Sequence, residues 1–68
     1  MHPTRYTWQI TKLVPHDNNQ KSINEFIVAE TIHQVLDYIK LDLADESVEV
    51  ETIAKLFPVV DIITSQKQ

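Results

Sequence analysis

Apolar and polar residues alternate with a period of two over residues 6–14, near the start of the chain. Tyr6, Trp8 and Ile10 take one set of alternate positions, and threonine and glutamine take the other. Successive side chains of a strand point to opposite faces, and aromatic and β-branched residues favour strands, so this segment predicts a first strand. The polar residues 15–22 that follow are rich in turn formers and predict a hairpin loop longer than a two-residue turn.

A second strand, antiparallel to the first, is predicted over residues 23–30, which are rich in β-branched and aromatic side chains. The period of two places Phe26 and Val28 on one face of this strand and Ile23 and Ile27 on the other. Both faces are therefore partly apolar. We expect Phe26 and Val28 to pack under a helix, which leaves Ile23 and Ile27 on the opposite face.

The next segment carries the pattern of an amphipathic helix. Thr31 precedes it and Gln34 follows three residues later, the spacing of a capping box, so Thr31 is the predicted N-cap. We expect the helix to end near Ala44, because no glycine is available as a C-cap and acidic residues there oppose the helix dipole. The apolar residues that share one helical face are Ile32, Val35, Leu36, Ile39 and Leu43.

Residues 48–57 fit two patterns. Their first half alternates like a strand, and its β-branched content favours that interpretation. A helical face is the alternative, since a set of apolar residues also recurs at helical spacing, namely Val50, Ile53, Ala54 and Phe57. Pro58 ends or bends either element. Residues 59–64 are again dense in β-branched side chains and predict a last strand, and residues 65–68 are expected to be a disordered tail.

Assembled in order, these elements predict an α+β fold, a two-layer β-β-α-β-β domain over residues 1–64. The right-handed crossover rule places the third strand beside the first, which gives a four-stranded antiparallel or mixed sheet of order 2-1-3-4. One helix would cover one face of this sheet. The strand residues expected beneath it are Trp8, Ile10, Phe26, Val28, Val48 and Val50.

The second face of the sheet would then be uncovered and partly apolar. Ile23, Ile27 and Ile53 are predicted to lie on it, with either Val59 and Ile63 or Val60 and Ile62 from the last strand. Monomers rarely expose an apolar cluster of this size, so we expect self-association through this face, most simply as a homodimer. The alternative is that bulges or the Pro58 bend turn some of these residues into the core.

Composition narrows the possible functions. The 68 residues include no cysteine and no glycine, which excludes disulfides, thiolate metal sites and glycine-rich phosphate loops. The net charge of −4 makes nucleic acid an improbable partner, because backbone phosphates attract basic surfaces. No segment resembles a signal peptide or a membrane span, so we expect a cytoplasmic protein that does not enter the membrane.

Few residues in the sequence are candidates for catalysis or for binding a metal or cofactor. His2, His16 and His33 are separated along the chain, and the one helical pair that they form, His33 with Asp37, is better explained as a surface contact than as a metal site. No nucleophile motif occurs. We therefore expect a protein that is not an enzyme and that binds neither metal nor cofactor.

An acidic run and an aromatic strand are the remaining candidates for binding. The acidic run has two interpretations, a charged edge that discourages aggregation or a surface that docks a protein with a basic surface. The aromatic strand has two as well, core packing or a stacking platform for single-stranded nucleic acid. We expect a non-enzymatic protein-interaction module, a small acidic regulator or inhibitor that self-associates, with a nucleic-acid-associated module as the alternative. The acidic run comprises Asp42, Asp45, Glu46, Glu49 and Glu51, and the platform would use Arg5, Tyr6, Trp8 and Lys12.

Overall fold

The structure, a computed structural model, describes residues 3–60 and contains within them three strands and two short helices. All strand pairs are antiparallel, and β1 lies between β2 and β3. The small α+β fold and the relative order of the first three strands are thus as predicted. The elements are β1 (Tyr6–His16), β2 (Asn19–Ala29), α1 (Ile32–Tyr38), α2 (Lys40–Ala44) and β3 (Glu49–Pro58).

The fourth strand of the prediction is not confirmed. β3 ends at Pro58, and Val59 and Val60 belong to no strand, although the Val59 N–H still donates a hydrogen bond of 2.8 Å to the Arg5 carbonyl. Residues 61–64 and the predicted tail at residues 65–68 lie outside the described residues. The sheet therefore has the order β2-β1-β3 over the part of the chain that is described.

The hairpin between β1 and β2 turns on two residues, Asp17 and Asn18, so the predicted longer loop is wrong. Their φ angles are 48° and 64°, and His16 pairs with Asn19 across the turn. Positive φ at both central residues is typical of a type I′ turn, whose twist matches that of the flanking strands, and aspartate and asparagine tolerate this conformation better than other non-glycine residues. The strands consequently continue through the polar segment that pattern alone assigns to a loop.

This turn also sets which face of β2 meets the helices. Trp8 pairs with Ile27, and Gln9 pairs with Phe26. Paired residues share a face, so Ile27 lies with Trp8 on the side that the helices cover, while Phe26 lies on the other side. The expectation that Phe26 and Val28 pack under the helix is wrong, because a two-residue turn fixes the register and a longer loop would have left it open.

The predicted N-cap is confirmed. The Thr31 hydroxyl accepts a hydrogen bond of 3.3 Å from the Gln34 N–H, and the Gln34 side-chain oxygen accepts one of 2.7 Å from the Glu30 N–H. The single helix of the prediction is interrupted at Ile39, whose φ of −103° and ψ of 18° separate α1 from α2. α2 ends at Ala44, as expected.

β3 confirms the strand interpretation of residues 48–57, and it contains two irregularities. Thr11 pairs with Thr52 while Lys12 pairs with Val50, so Glu51 is an extra residue in β3. Such a β-bulge shifts the alternation of the strand by one residue. Val50 and Ile53 can therefore both pack against the core although they are three residues apart. The bulge is the source of the helix-like spacing in this segment.

The core is small and lies between the helices and one face of the sheet. The indole Nε1 of Trp8 donates a hydrogen bond of 2.9 Å to the Ala29 carbonyl within it. Of the predicted helical stripe, Val35 and Ile39 are buried, whereas Ile32, Leu36 and Leu43 are exposed. The buried apolar residues are Trp8, Ile10, Ile27, Ala29, Val35 and Ile39.

The molecule is elongated, with extents of 55 × 22 × 15 Å and a radius of gyration of 15.3 Å. A compact chain of this length has a radius of gyration of about 11 Å. Each strand of the β1–β2 hairpin has 11 residues and is about 36 Å long, whereas the two helices have only 7 and 5 residues. Much of the sheet is consequently left without a covering layer.

We expect the turn to respond to substitution in the way that positive φ dictates. Asn18→Ala should lower the melting temperature by about 4–8 °C, because alanine in this conformation costs about 1 kcal/mol, and Asn18→Gly should keep or raise it. The control is Asn24, which lies in β2 with negative φ. There glycine should be the more destabilising of the same two substitutions. Thermal unfolding followed by circular dichroism measures all four, and the same order at both sites would contradict the type I′ turn.

Candidate interaction surfaces

Within residues 3–60, the face of the sheet that the helices do not cover carries four large apolar side chains that are exposed, which we call the open-face patch. Val28 pairs with Thr7 and Phe26 pairs with Gln9 on this face. The second irregularity of β3 lies at the same end of the sheet, where Tyr6 pairs with Pro58 and Trp8 with Lys55, so two residues of β3 lie opposite Thr7 alone. The patch consists of Phe26, Val28, Leu56 and Phe57, whose exposures are 61%, 53%, 40% and 59%.

The residues that the sequence predicts for self-association lie elsewhere. Ile27 is buried in the core, and Ile53 is partly buried and packs against it. Ile23 is half-buried and pairs with Lys12, on the covered side of the sheet. Their assignment to the uncovered face is wrong for two reasons. The prediction exchanged the two faces of β2, and it assumed that β3 contains no bulge. Over residues 3–60 an apolar sheet face is nevertheless left uncovered, and it is formed by different residues. Of the valine and isoleucine pairs predicted to extend it, Val60 is exposed, Val59 is half-buried, and Ile62 and Ile63 lie outside the described residues.

Lys12 is the buried charged group of the described chain. It lies on the central strand, only 6% exposed, on the same face as Trp8 and Ile10. Its Nζ lies 2.5 Å from Oδ2 of Asp42 in α2 and 3.1 Å from Oε1 of Glu25 in β2. These two carboxylates satisfy the ammonium group, and the cluster connects a helix to two strands. The Lys12 cluster is a structural link, which sequence analysis missed.

The hydrogen bond to Asp42 raises the pKa of Lys12 above its ordinary value of 10.5, with a further contribution from Glu25 and against the opposing effect of burial. A lysine that acts as a nucleophile or base needs the opposite shift, since it must lose its proton near neutral pH. Lys12 therefore stays charged and binds its two carboxylates. The sequence does contain a sign of this cluster. Lys12 lies on the face of β1 that carries the buried apolar residues, and Glu25 lies on the corresponding face of β2.

The predicted stacking platform is not assembled on a surface. Trp8 is buried and donates a hydrogen bond to the Ala29 carbonyl, and Lys12 is buried and bound by its two carboxylates. Tyr6 is half-buried, and the Lys55 ammonium lies 4.5 Å from the centre of its ring. Arg5 is the one exposed member. Three of the four side chains thus belong to the core or to contacts within the chain.

The acidic run is divided by the fold. Asp42 binds Lys12, and the Asp45 carboxylate accepts hydrogen bonds from the hydroxyl and the N–H of Ser47, at 2.7 and 2.9 Å, which lower its pKa. The other three members are exposed and make no ion pair within residues 3–60. We call these three the acidic edge, since they lie on or just before the outer strand β3: Glu46, Glu49 and Glu51.

The histidines are not gathered into a site. Nε2 of His16 lies 3.4 Å from Oδ2 of Asp17 in the turn, His33 is exposed on α1, and His2 lies outside the described residues. Residues 3–60 contain no group of three histidine, aspartate or glutamate side chains with the geometry to hold a metal ion. Over the same residues, neither helix has the length and apolar character needed to cross a membrane.

The free energy that Lys12 contributes to folding should decrease at alkaline pH. Folding raises the pKa of Lys12, so its contribution is complete below pH 10.5 and is lost as pH rises through the higher pKa of the folded state. Melting temperatures measured from about pH 8 to about pH 12 should therefore fall more steeply for the unchanged protein than for Lys12→Met. Lys40→Met, which alters an exposed lysine on α2 outside the cluster, is the control and should follow the unchanged protein. Parallel curves for all three proteins would contradict this role.

Comparison with known proteins gives no relative from which a function could be inferred for this chain. No family model, no curated protein and no solved structure matches this chain. What the protein does is therefore inferred from its own exposed residues and their arrangement.

Proposed function

We propose that this chain is a non-enzymatic protein-interaction module, a small acidic regulator or inhibitor that self-associates through the open-face patch. The observation that carries the proposal is the clustering of Phe26, Val28, Leu56 and Phe57 at one end of an uncovered sheet face. Exposed apolar side chains are common singly, but a contiguous cluster marks a binding surface.

Burial of this patch offers a substantial gain in free energy. Full burial of a large apolar side chain stabilises by about 1.5–3 kcal/mol, and each patch residue is 40–61% exposed. Each one therefore retains roughly 1 kcal/mol that a partner surface can recover. Four such residues at one end of the sheet, on both sides of Thr7, can form the kind of centre that dominates the energetics of protein interfaces.

A second copy is a chemically suitable occupant. Two sheets pack face to face about 10 Å apart with their strands nearly aligned, and a twofold axis would place one patch against the other. Gln9 lies beside Phe26 on this face. Its amide carries both donor and acceptor groups, so two copies of Gln9 related by the axis can satisfy each other within the apolar contact. The dimer would have the layer order helix, sheet, sheet, helix.

The acidic edge supports a further partner, a protein with a basic surface. Glu46, Glu49 and Glu51 are exposed and make no ion pair within the described residues, and they lie away from the open-face patch along β3. Complementary charge at such a surface accelerates association and selects the partner. A regulator built in this way would associate with itself through one surface and bind its target through another.

Phe57→Lys tests the open-face patch. Lysine at this position would have to be desolvated in the interface, so self-association should weaken at least about tenfold. Leu41→Lys is the matched control, since Leu41 lies on α2, away from the sheet, and is 80% exposed. Light scattering over a concentration series should show a mass of at least two chains for the unchanged protein and for the control. A strict monomer at tens of micromolar, or equal effects of both substitutions, would contradict the proposal.

Charge reversal tests the acidic edge. The double variant Glu46→Lys with Glu49→Lys should reduce binding to a fluorescent decalysine peptide much more than Glu30→Lys with Asp37→Lys does. Both variants change the net charge by the same amount, so the comparison separates the local surface from overall charge. Fluorescence anisotropy at low and at physiological salt measures the difference, which should shrink as salt rises. Equal losses in the two variants would mean that the edge is not a docking surface.

A further inference from the structure

The two edges of the sheet differ in the protection that they have against pairing with another strand. β3 carries two bulges, two glutamates and a terminal proline, all of which discourage the addition of a strand. Within residues 3–60, β2 has no bulge and no proline, carries a single glutamate, and pairs with β1 without a shift over its 11 residues. The free edge of β2 is therefore the more suitable one for pairing.

The backbone groups on that free edge follow from the register. His16 and Asn19 close a two-residue turn, so odd-numbered residues of β2 exchange hydrogen bonds with β1, and even-numbered ones direct their N–H and C=O groups outward. Two observations agree: the Gln20 N–H donates to the Asn19 side chain, and the Glu30 N–H donates to Gln34. The residues between them with outward groups are Ser22, Asn24, Phe26 and Val28, all of them exposed.

The charges along β2 are complementary to those of an antiparallel second copy. Lys21 and Glu25 lie four residues apart on the same face of the strand. If Ile23 of one chain faces Ile23 of the other, Lys21 of each chain lies opposite Glu25 of its partner copy. No other antiparallel register makes this pairing. The same register sets Ser22 opposite Asn24, so even-numbered residues meet and their outward groups can bond to each other.

We propose that two copies of this chain pair antiparallel through the free edge of β2, with a twofold axis at Ile23. The product is a continuous six-stranded sheet held by main-chain hydrogen bonds and two Lys21–Glu25 ion pairs. This contact is separate from the open-face patch, and it goes beyond the proposed function. If both contacts form and their twofold axes intersect at right angles, four chains assemble.

Asn24 provides the sharpest test of this edge. Asn24→Pro removes an outward N–H without removing a main-chain hydrogen bond to β1. Asn24→Ala keeps that N–H, loses the same side-chain hydrogen bond from Thr11 and is the matched control. Both are introduced into Phe57→Lys, so that the open-face contact does not contribute. The Phe57→Lys protein should be a dimer by light scattering, the added Asn24→Ala should leave it a dimer, and the added Asn24→Pro should make it a monomer.

Lys21→Glu keeps the test decisive if circular dichroism shows that the proline variant does not fold. This exposed residue would then repel Glu25 of the other copy, which should weaken the edge dimer by about tenfold. Amide hydrogen exchange gives an independent measure. The N–H groups of Ser22 and Asn24 should become protected as protein concentration rises, while those of their odd-numbered neighbours are protected at every concentration.

The outcomes separate the two proposals. A folded Phe57→Lys protein that is monomeric at every concentration, or edge amides that stay unprotected, would overturn the β2 contact and leave the open-face contact standing. A wild-type dimer that Phe57→Lys does not affect but Asn24→Pro dissociates would support the edge and reject the open-face patch. A wild-type monomer would overturn both.

Discussion

The geometry of the Asp17–Asn18 turn determines the arrangement of the rest of the molecule. Two residues with positive φ join β1 and β2 in one register, and that register decides which side chains of β2 meet the helices. A turn with one more residue would exchange the two faces. Ile27 would then lie on the open side and Phe26 in the core. The burial of Trp8 against Ile27, the position of Glu25 beside Lys12 and the exposure of the open-face patch all depend on this turn.

The parts of the fold that were predictable from the sequence are those that local patterns determine. β1 follows from the alternation of its first six residues, the N-cap from Thr31 and Gln34, and the strand character of β3 from its β-branched opening. The parts that could not be predicted depend on register. The face of β2 requires the length of the turn, and the core positions of β3 require the extra residue at Glu51. The residues of the uncovered face were misassigned for these two reasons, although the sequence predicts that one helix leaves a partly apolar sheet face uncovered.

The Lys12 cluster shows why a charged side chain does not by itself identify the exposed face of β2. The face with Phe26 and Val28 includes no charged residue, yet the other face is the covered one and includes Glu25. That carboxylate is tolerated there because Lys12 on the neighbouring strand and Asp42 on α2 form a charged group whose members satisfy one another. A single charge on the strand indicates solvent exposure, whereas a matched pair across two strands is compatible with burial.

The bulges of β3 have a consequence for the size of any assembly. A sheet with two free edges of equal quality can add chains at both ends without limit, which is how fibres grow. In this protein one edge is regular and the other is twice interrupted and acidic. A contact that joins two regular edges is isologous and uses both of them at once, so the paired sheet ends in bulged strands on either side. Under the proposed β2 contact, growth along the sheet would stop after a single addition, and the irregular strand β3 would act as a terminator of polymerisation.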